Sequence, residues 1–328
     1  MNSKIIKYII IILLLPVVPL KATAQTGIYY STNGQLSSSL INQLYQDHRG
    51  FIWISTEFGL NKFDGTHFTH YKHIDNDSTS LINNHVRGVF EDSYRNLWIR
   101  CLGGLMLYHP ETDDFELIKI EGKEGRHVTN IMELHNGEVW GITTGDTIFR
   151  INLTQKVIEP IDEINRKLRL KSFSSIYEDT RRNLWFISET QGLLCFNPKS
   201  EEIQHFKYPD IPDNNISAIK EDQNGNLFIG TLTKGLCLYD WEKKVFQPIP
   251  YENKQNLPIK HLAFTEGKLL IGTDGKGIKA YNPATHQIED YPVNAAPFNL
   301  STAKVHSILQ DKDKNLWLGI FQKGIVFL

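Results

Sequence analysis

The sequence predicts an all-β fold, a seven-bladed β-propeller with four-stranded antiparallel blades, and three observations lead to this prediction. Short apolar strands alternate with turns rich in Gly, Asn and Asp, as in residues 214–240. This unit recurs with a period slightly above 40 residues, which is typical of propeller blades. No copy contains a ten-residue stretch of helical periodicity, which argues against a helical repeat.

Each repeat is marked by an aromatic residue that follows an aspartate by six positions. Five copies keep this step, starting from Asp47, Asp92, Asp179, Asp222 and Asp311. Two weaker copies have Leu134 in place of the aspartate and Leu270 in place of the aromatic residue. The seven marker positions are 42 to 47 residues apart: Trp53, Trp98, Trp140, Trp185, Phe228, Leu270 and Trp317. We interpret the aromatic residues as blade core rather than sugar-stacking platforms, and the aspartates as turn residues rather than calcium ligands.

Residues 1–24 predict a cleaved secretory signal peptide, and residues 25–328 are predicted to form the propeller as one domain. Lys4 and Lys7 precede a short apolar run, and Ala22-Thr23-Ala24 provides a small-residue cleavage site. The apolar run is too short for a typical membrane span, and an uncleaved N-terminal anchor is the alternative.

The two ends of the propeller region are predicted to complete one blade together. The last repeat ends with its third strand, at residues 324–328, and no fourth strand follows it. Residues 27–31 form a short aromatic strand ahead of the first repeat. We predict that this strand pairs with the last blade, closes the ring and covers an exposed sheet edge.

Charge and cysteine content exclude two classes of protein. The chain has 35 Lys and Arg against 37 Asp and Glu, so nothing indicates a basic nucleic-acid surface. The three cysteines, Cys101, Cys195 and Cys237, are scattered and odd in number, which does not fit a disulfide scaffold. We interpret them as small buried thiols, with Cys195 and Cys237 on third strands and Cys101 in a turn.

Several segments resemble the repeats of the two-component regulator propeller family. They are GLNKFDG at 59–65, NLWIRCLGGLMLYHP at 96–110, NLFIGTLTKGLCLYD at 226–240 and NLWLGIFQKGIVFL at 315–328. Residues 34–65 resemble the first blade of that family, and the resemblance covers residues 28–328.

The resemblance implies the N-terminal periplasmic sensor propeller of a hybrid two-component histidine kinase, responding to glycan fragments. Such receptors usually continue with a second propeller, an immunoglobulin-like domain, a membrane span and a kinase, none of which is recognised in these residues. We therefore expect no enzymatic activity and no cofactor in this chain, an oligosaccharide as ligand, and membrane attachment and homodimerisation only through such downstream parts.

Candidate ligand-binding residues are placed at the mouth of the central channel. The fifth position before each turn aspartate, near the start of the innermost strand, is polar in every copy: Asn42, Arg87, Thr129, Ser174, Ser217, Lys260 and His306. Loops between second and third strands on the same face add Glu57, Arg100, Glu189, Lys234, Lys276 and Lys323. The candidate site is drawn from both sets: Asn42, Glu57, Arg87, Arg100, Lys234, Lys260 and His306. Arg87 and Arg100 fall on one blade and could hold a carboxylate or sulfate in fork geometry. The alternative is that these side chains only hydrate the channel.

Two other functions stay open from the sequence. Residues 183–189 are similar to a repeat of the streptogramin lyases. His261 and His306, on neighbouring inner strands, are the strongest candidates for catalytic residues. No catalytic motif or metal-ligand spacing accompanies them. The propeller could also serve as a docking or dimerisation platform, which sequence cannot separate from ligand sensing.

Overall fold

The computed structural model describes residues 27–120, 127–169, 171–251, 256–265, 267–293 and 299–328. These residues form seven β-sheets, and each sheet is one blade. In five sheets the strands follow the chain from the innermost to the outermost position, whereas in the third and seventh sheets the outermost strand comes earlier in the chain than the others. The first strands of most neighbouring blades contact each other, including those of the seventh and first blades. The predicted seven-bladed propeller is therefore confirmed, whereas the predicted signal peptide lies outside the described residues.

The strands of the first four blades have the following bounds. The first blade contains β2 (Ile41–Gln46), β3 (Ile52–Thr56), β4 (Gly59–Phe63) and β5 (Phe68–Tyr71). The second contains β6 (Val86–Glu91), β7 (Leu97–Cys101), β8 (Gly104–His109) and β9 (Asp114–Leu117). The third contains β11 (Val128–Glu133), β12 (Val139–Thr143), β13 (Ile148–Asn152) and β14 (Val157–Pro160). The fourth contains β15 (Ser175–Glu178), β16 (Leu184–Ile187), β17 (Leu193–Phe196) and β18 (Ile203–Phe206).

The remaining blades repeat the pattern. The fifth contains β19 (Ile216–Glu221), β20 (Leu227–Thr231), β21 (Gly235–Asp240) and β22 (Val245–Pro248). The sixth contains β23 (Ile259–Thr265), β24 (Lys268–Thr273), β25 (Ile278–Asn282) and β26 (Gln287–Asp290). The seventh contains β27 (Val305–Gln310), β28 (Leu316–Ile320), β29 (Gly324–Phe327) and the N-terminal β1 (Ile28–Tyr30).

Strand β1 closes the ring as predicted. It pairs antiparallel with β29, with Tyr29 opposite Val326 and Tyr30 opposite Ile325. The ring of Tyr30 stacks on Trp317 at a centroid distance of 5.9 Å and also contacts Phe63 of the first blade. The edge of the last blade is thereby covered, and the seventh blade is tied to the first.

The marker residues lie on the second strands and form the core between blades. Trp53, Trp98, Trp185, Phe228 and Trp317 are buried within separate hydrophobic clusters. Each cluster joins side chains of two neighbouring blades, which supports the interpretation of these aromatic residues as structural. A propeller can bury this much apolar surface in separate layers because each blade packs only on its neighbours.

The turn aspartates bond their own turns, as expected. In the first blade, Asp47 Oδ1 accepts a hydrogen bond from the backbone N–H of Phe51 at 3.0 Å. Its Oδ2 accepts a second bond from the indole Nε1 of Trp53 at 2.8 Å. The same two bonds recur in the second, fourth and seventh blades. The six-residue step between aspartate and tryptophan thus reflects a direct contact that the sequence analysis did not identify.

A second repeated contact joins neighbouring blades at the end of the ring that carries these turns. Glu178 at the end of β15 accepts hydrogen bonds from His135 of the preceding blade, including one from its backbone N–H at 2.8 Å. Glu91, Glu133 and Glu221 make equivalent contacts with the preceding blade. Between the seventh and first blades, Gln46 accepts from the N–H of Lys312 at 2.7 Å.

Three features were not predicted. The third blade has a fifth strand, β10 (Lys119–Ile120), which runs parallel to β14. The connection to the fourth blade contains the helix α1 (Asp162–Leu168), and a 3₁₀ turn (Leu300–Thr302) precedes the seventh blade. Within the described parts of the chain, no helix has the length and apolar character that crossing a membrane requires.

Candidate functional site

The polar residues predicted to line the channel mouth occupy β-bulges. In six blades the pairing of the first strand with the second shifts by one residue near the start of the first strand. The extra residues are Asn42, Arg87, Thr129, Ser217, Lys260 and His306. A bulge leaves one residue outside the ladder and redirects its side chain. In the fourth blade, Ser174 lies just before β15 and no bulge is present.

Two of these bulge residues connect neighbouring blades. Asn42 Nδ2 donates to the carbonyl oxygen of Val86 at 2.9 Å, and Ser217 Oγ donates to that of Ile259 at 2.6 Å. Both acceptors open the first strand of the next blade, whose channel-side edge has no strand partner. These bonds satisfy otherwise unpaired backbone groups, so Asn42 and Ser217 have a structural role.

The residue after the bulge can also form a hydrogen bond with the next blade. Gln43 Oε1 accepts a hydrogen bond from the N–H of Val89 at 2.8 Å, and Ser307 Oγ accepts one from the N–H of Leu44 at 3.1 Å. The second blade has Gly88 at this position and the fifth has Ala218, so neither can offer an acceptor. The second and fifth blades are therefore exceptions, and the second carries both candidate arginines.

Arg100 occupies the space that Gly88 leaves free. Our prediction that Arg100 lies in a loop after β7 was wrong, because it lies within β7, opposite Gly88 and Leu105. A side chain at position 88 would collide with the Arg100 guanidinium and with Gln43. The guanidinium donates to the backbone carbonyl of Thr129 in the third blade and lies 3.5 Å from Gln43 Oε1 in the first. Cys101, also expected in a turn, is the buried last residue of β7.

Desolvation and neighbouring positive charge lower the pKa values of several basic side chains near the channel. Burial, and next the charge of Arg87, lower the pKa of Arg100 to about 10. Desolvation lowers the pKa of Lys220 on β19, although part of its side chain is solvent-exposed. Burial, and next the charge of Lys220, lower the pKa of His261 to about 4. Arg100 therefore lies close to Arg87, and Lys220 lies close to His261.

At the mouth, the loops between second and third strands contact the entry to the next blade. Glu57 lies 3.0 Å from Nδ1 of His85, which precedes β6. His306 Nε2 lies 3.3 Å from Asp274 of the sixth blade, and its ring packs on Phe321 at 4.8 Å. Burial lowers the pKa of His306, although Asp274 opposes this shift.

The three remaining candidates differ in their exposure and in their position on the ring. Lys234 is exposed in a turn of the fifth blade. Arg87 and Lys260 occupy bulges on opposite parts of the ring, and neither has a hydrogen-bond or ion-pair partner within the described ranges. The structure places the seven candidates on one end of the ring without gathering them into a single pocket.

Sequence reasoning missed Lys220 and the Gly88–Arg100 relationship. Lys220 occupies a position that other blades fill mostly with aromatic or apolar residues, including Tyr45, Phe90 and Met132. A lysine at that repeat position was the signal available in the sequence. Across the described segments, no group of three His, Cys, Asp or Glu residues could hold a metal ion.

Comparison with known proteins adds a family and several relatives. The model of the two component regulator propeller family matches residues 35–58, 210–233 and 299–322. A histidine kinase of Formosa agariphila is 28% identical over 138 residues, which cover 40% of this chain and 10% of that protein.

Solved structures share the fold over almost the whole chain. The extracellular domain of the hybrid two component system BT3049 from B. thetaiotaomicron superposes with a TM-score of 0.80 at 26% identity, covering 92% of this chain and 41% of that one. The extracellular domain of BT4673 from the same organism gives 0.77 at 18% identity, covering 93% and 43%. Virginiamycin B lyase from Staphylococcus aureus gives 0.69 at 16% identity, covering 92% and 97%, which shows a shared fold alone. The chain thus spans less than half of these two extracellular domains.

Proposed function

We propose that this chain, which the two component regulator propeller model matches in three segments, is the periplasmic ligand-sensing propeller of a hybrid two-component receptor and responds to glycan fragments. The likeness to the extracellular domain of such a system, at 26% identity over 92% of the chain, is the observation that carries the proposal. Export by a cleaved signal peptide at residues 1–24 would bring the propeller to the periplasm.

We place the ligand at the channel mouth, on the end of the ring that carries Glu57, Lys234 and His306. The pair of Glu57 and His85 offers both an acceptor and a donor at a half-buried position. Arg87 and Lys260 supply unpartnered cations just inside the mouth. Such a mixture of donors, acceptors and charge suits an oligosaccharide, whose hydroxyl groups need directional hydrogen bonds.

A sensing role fits the polar side chains better than a lyase role does. His306 is engaged by Asp274, and His261 is bonded by the backbone of Ile308. Burial holds the pKa of His261 near 4, so this imidazole is neutral and poorly suited to donate a proton at neutral pH. We assign phosphotransfer, membrane attachment and homodimerisation to receptor segments outside this propeller.

The experiment is a thermal-shift screen of the protein against neutral and acidic oligosaccharides. A ligand that binds only the folded state at a hundred times its dissociation constant stabilises it by roughly 2.7 kcal/mol. We expect a rise in Tm with one glycan class, reduced by Lys260→Ala and Lys234→Ala.

Lys199→Ala is the matched control, because Lys199 is exposed in a turn of the fourth blade, away from the channel mouth. A cooperatively folded protein whose Tm responds to no oligosaccharide would contradict a glycan-binding site in this propeller.

A further inference from the structure

The wall of the central channel carries positive charge without an acidic side chain to balance it. In each first strand the bulge position and the next residue lie at the channel-side edge, which has no strand partner. Across the seven blades these positions include Arg87, Lys260, His261 and His306, but no Asp or Glu. Lys220, two positions before the turn aspartate of the fifth blade, lies beside His261. The whole chain, in contrast, has a formal net charge of −2.

The channel cations differ from cations on the rim in lacking carboxylate partners. On the outer rim, Lys62 lies 2.9 Å from Asp113 and Lys156 lies 2.6 Å from Glu116. In the channel, Arg87, Lys220 and Lys260 form no hydrogen bond or ion pair with any residue that the structure describes. The Arg87 Nε is fully buried and still lacks an acceptor.

An unpaired guanidinium nitrogen in a buried position is unfavourable, and a second cation beside it adds repulsion. Arg100 is the second cation in this case, and Gly88 provides the space that brings its guanidinium into the wall. Neither arginine can lose its proton at neutral pH. An anion in the channel would supply the missing acceptors and offset the repulsion.

We propose that the channel wall at the second blade is an oxyanion site for a sulfate, phosphate or carboxylate group, held by Arg87 with Arg100 beside it, while Lys220 and Lys260 on other blades add positive potential. Guanidinium groups match the geometry of these anions, and charge-assisted hydrogen bonds are the strong ones in proteins. The inference deepens the proposed function and, for the identity of the ligand, rests on it: the recognised glycan carries an acidic group that enters the channel.

The test is calorimetric titration of the purified protein with sodium sulfate, with sodium phosphate, and with a sulfated disaccharide and its unsulfated counterpart, at constant ionic strength. Arg87→Met and Lys220→Met remove one cation each and break no hydrogen bond that the structure shows. We expect Arg87→Met to weaken binding of the anion by at least about tenfold, and Lys220→Met, in the fifth blade, to weaken it less. Lys199→Met, which removes a charge on the outer rim, should leave the affinity unchanged.

Failure of this inference can be separated from failure of the proposed function. If neither inorganic anion binds the folded protein, or if Arg87→Met binds the anion as tightly as the original chain does, the oxyanion site is refuted. Binding of the unsulfated disaccharide as tightly as the sulfated one would also refute it, while leaving a glycan sensor intact. Binding of inorganic sulfate without binding of either disaccharide would support the channel site and count against these glycans as ligands.

Discussion

The Oδ2 atom of Asp179 accepts a hydrogen bond from the indole Nε1 of Trp185 at 2.7 Å, and both residues are buried. The other carboxylate oxygen accepts from the N–H of Asn183, so one side chain fixes both the turn and the ring plane. Repetition of this contact in four blades shows that the aspartate connects the turn chemistry to the packing between blades.

Removing the Asp179 carboxylate should therefore reduce the stability of the fold by more than removing the side chain of a turn residue usually does. We expect Asp179→Ala to lower the free energy of unfolding by about 1–3 kcal/mol, because it leaves the buried indole N–H without an acceptor. Urea unfolding followed by tryptophan fluorescence measures this loss. Asp210→Ala, at an exposed position in the same blade, should stay within about 0.5 kcal/mol of the original chain. Equal effects of the two substitutions would contradict a structural role for the Asp179–Trp185 contact.

Arg100 is expected to require a residue without a side chain at position 88. Gly88→Ala should reduce stability by about 1–3 kcal/mol, because the new methyl group collides with the guanidinium and with Gln43. The double variant Gly88→Ala, Arg100→Ala should lose less than the sum of the two single variants, since it removes the collision. Thermal unfolding of all three proteins provides the comparison, and strict additivity would show that the two residues do not compete for space.

Closure of the ring through β1 predicts that substitutions at two residues of this strand differ in their effect on stability. Tyr30→Ala should lower the free energy of unfolding by about 2 kcal/mol, because the ring packs on Trp317 and Phe63. Ile28→Ala on the same strand should change it little, since Ile28 is 52% exposed. A Tyr30 variant that is as stable as the Ile28 variant would argue against closure of the ring by this strand.

Stability should fall as the pH decreases from 7 to 5. The pKa of His261 is lowered to about 4 in the folded chain, whereas the unfolded value is about 6.5. The unfolded state therefore binds more protons between these two values, so the stabilisation present above about pH 6.5 is lost progressively as the pH falls toward 4. Chemical denaturation at pH 7 and pH 5 measures the effect.

His261→Gln serves as the comparison for this pH dependence, because glutamine keeps a hydrogen-bonding side chain beside the backbone of Ile308 without titrating. Its loss of stability between pH 7 and 5 should be smaller than that of the original chain. The carboxylates of Asp113, Glu116 and Asp274 have lowered pKa values, so their contributions are lost only at more acidic pH. An unchanged pH dependence in the variant would contradict the shift assigned to His261.

The sequence by itself determined the blades, their number and the strand that closes the ring. Each of these follows from local patterns that recur with a fixed period, such as the step from Asp47 to Trp53 and the unpaired last repeat ending at Leu328. Local patterns suffice because each blade contacts only its neighbours, so repetition in the chain becomes repetition in space. The helix α1 escaped prediction because its two apolar residues, Ile164 and Leu168, span too short a segment for a clear period.

Only the tertiary structure decided how the channel side chains meet. The polar ring was visible in the repeat, but hydrogen bonds with the next blade engage Asn42 and Ser217 while Arg87 and Lys260 stay unpartnered. The position of Arg100 depends on the missing side chain of Gly88, which lies on a different strand. Charge balance in the channel likewise involves residues far apart in the chain, such as Arg87 and Lys220. Such relationships arise when distant segments share one confined space, where desolvation strengthens interactions that are weak in the unfolded chain.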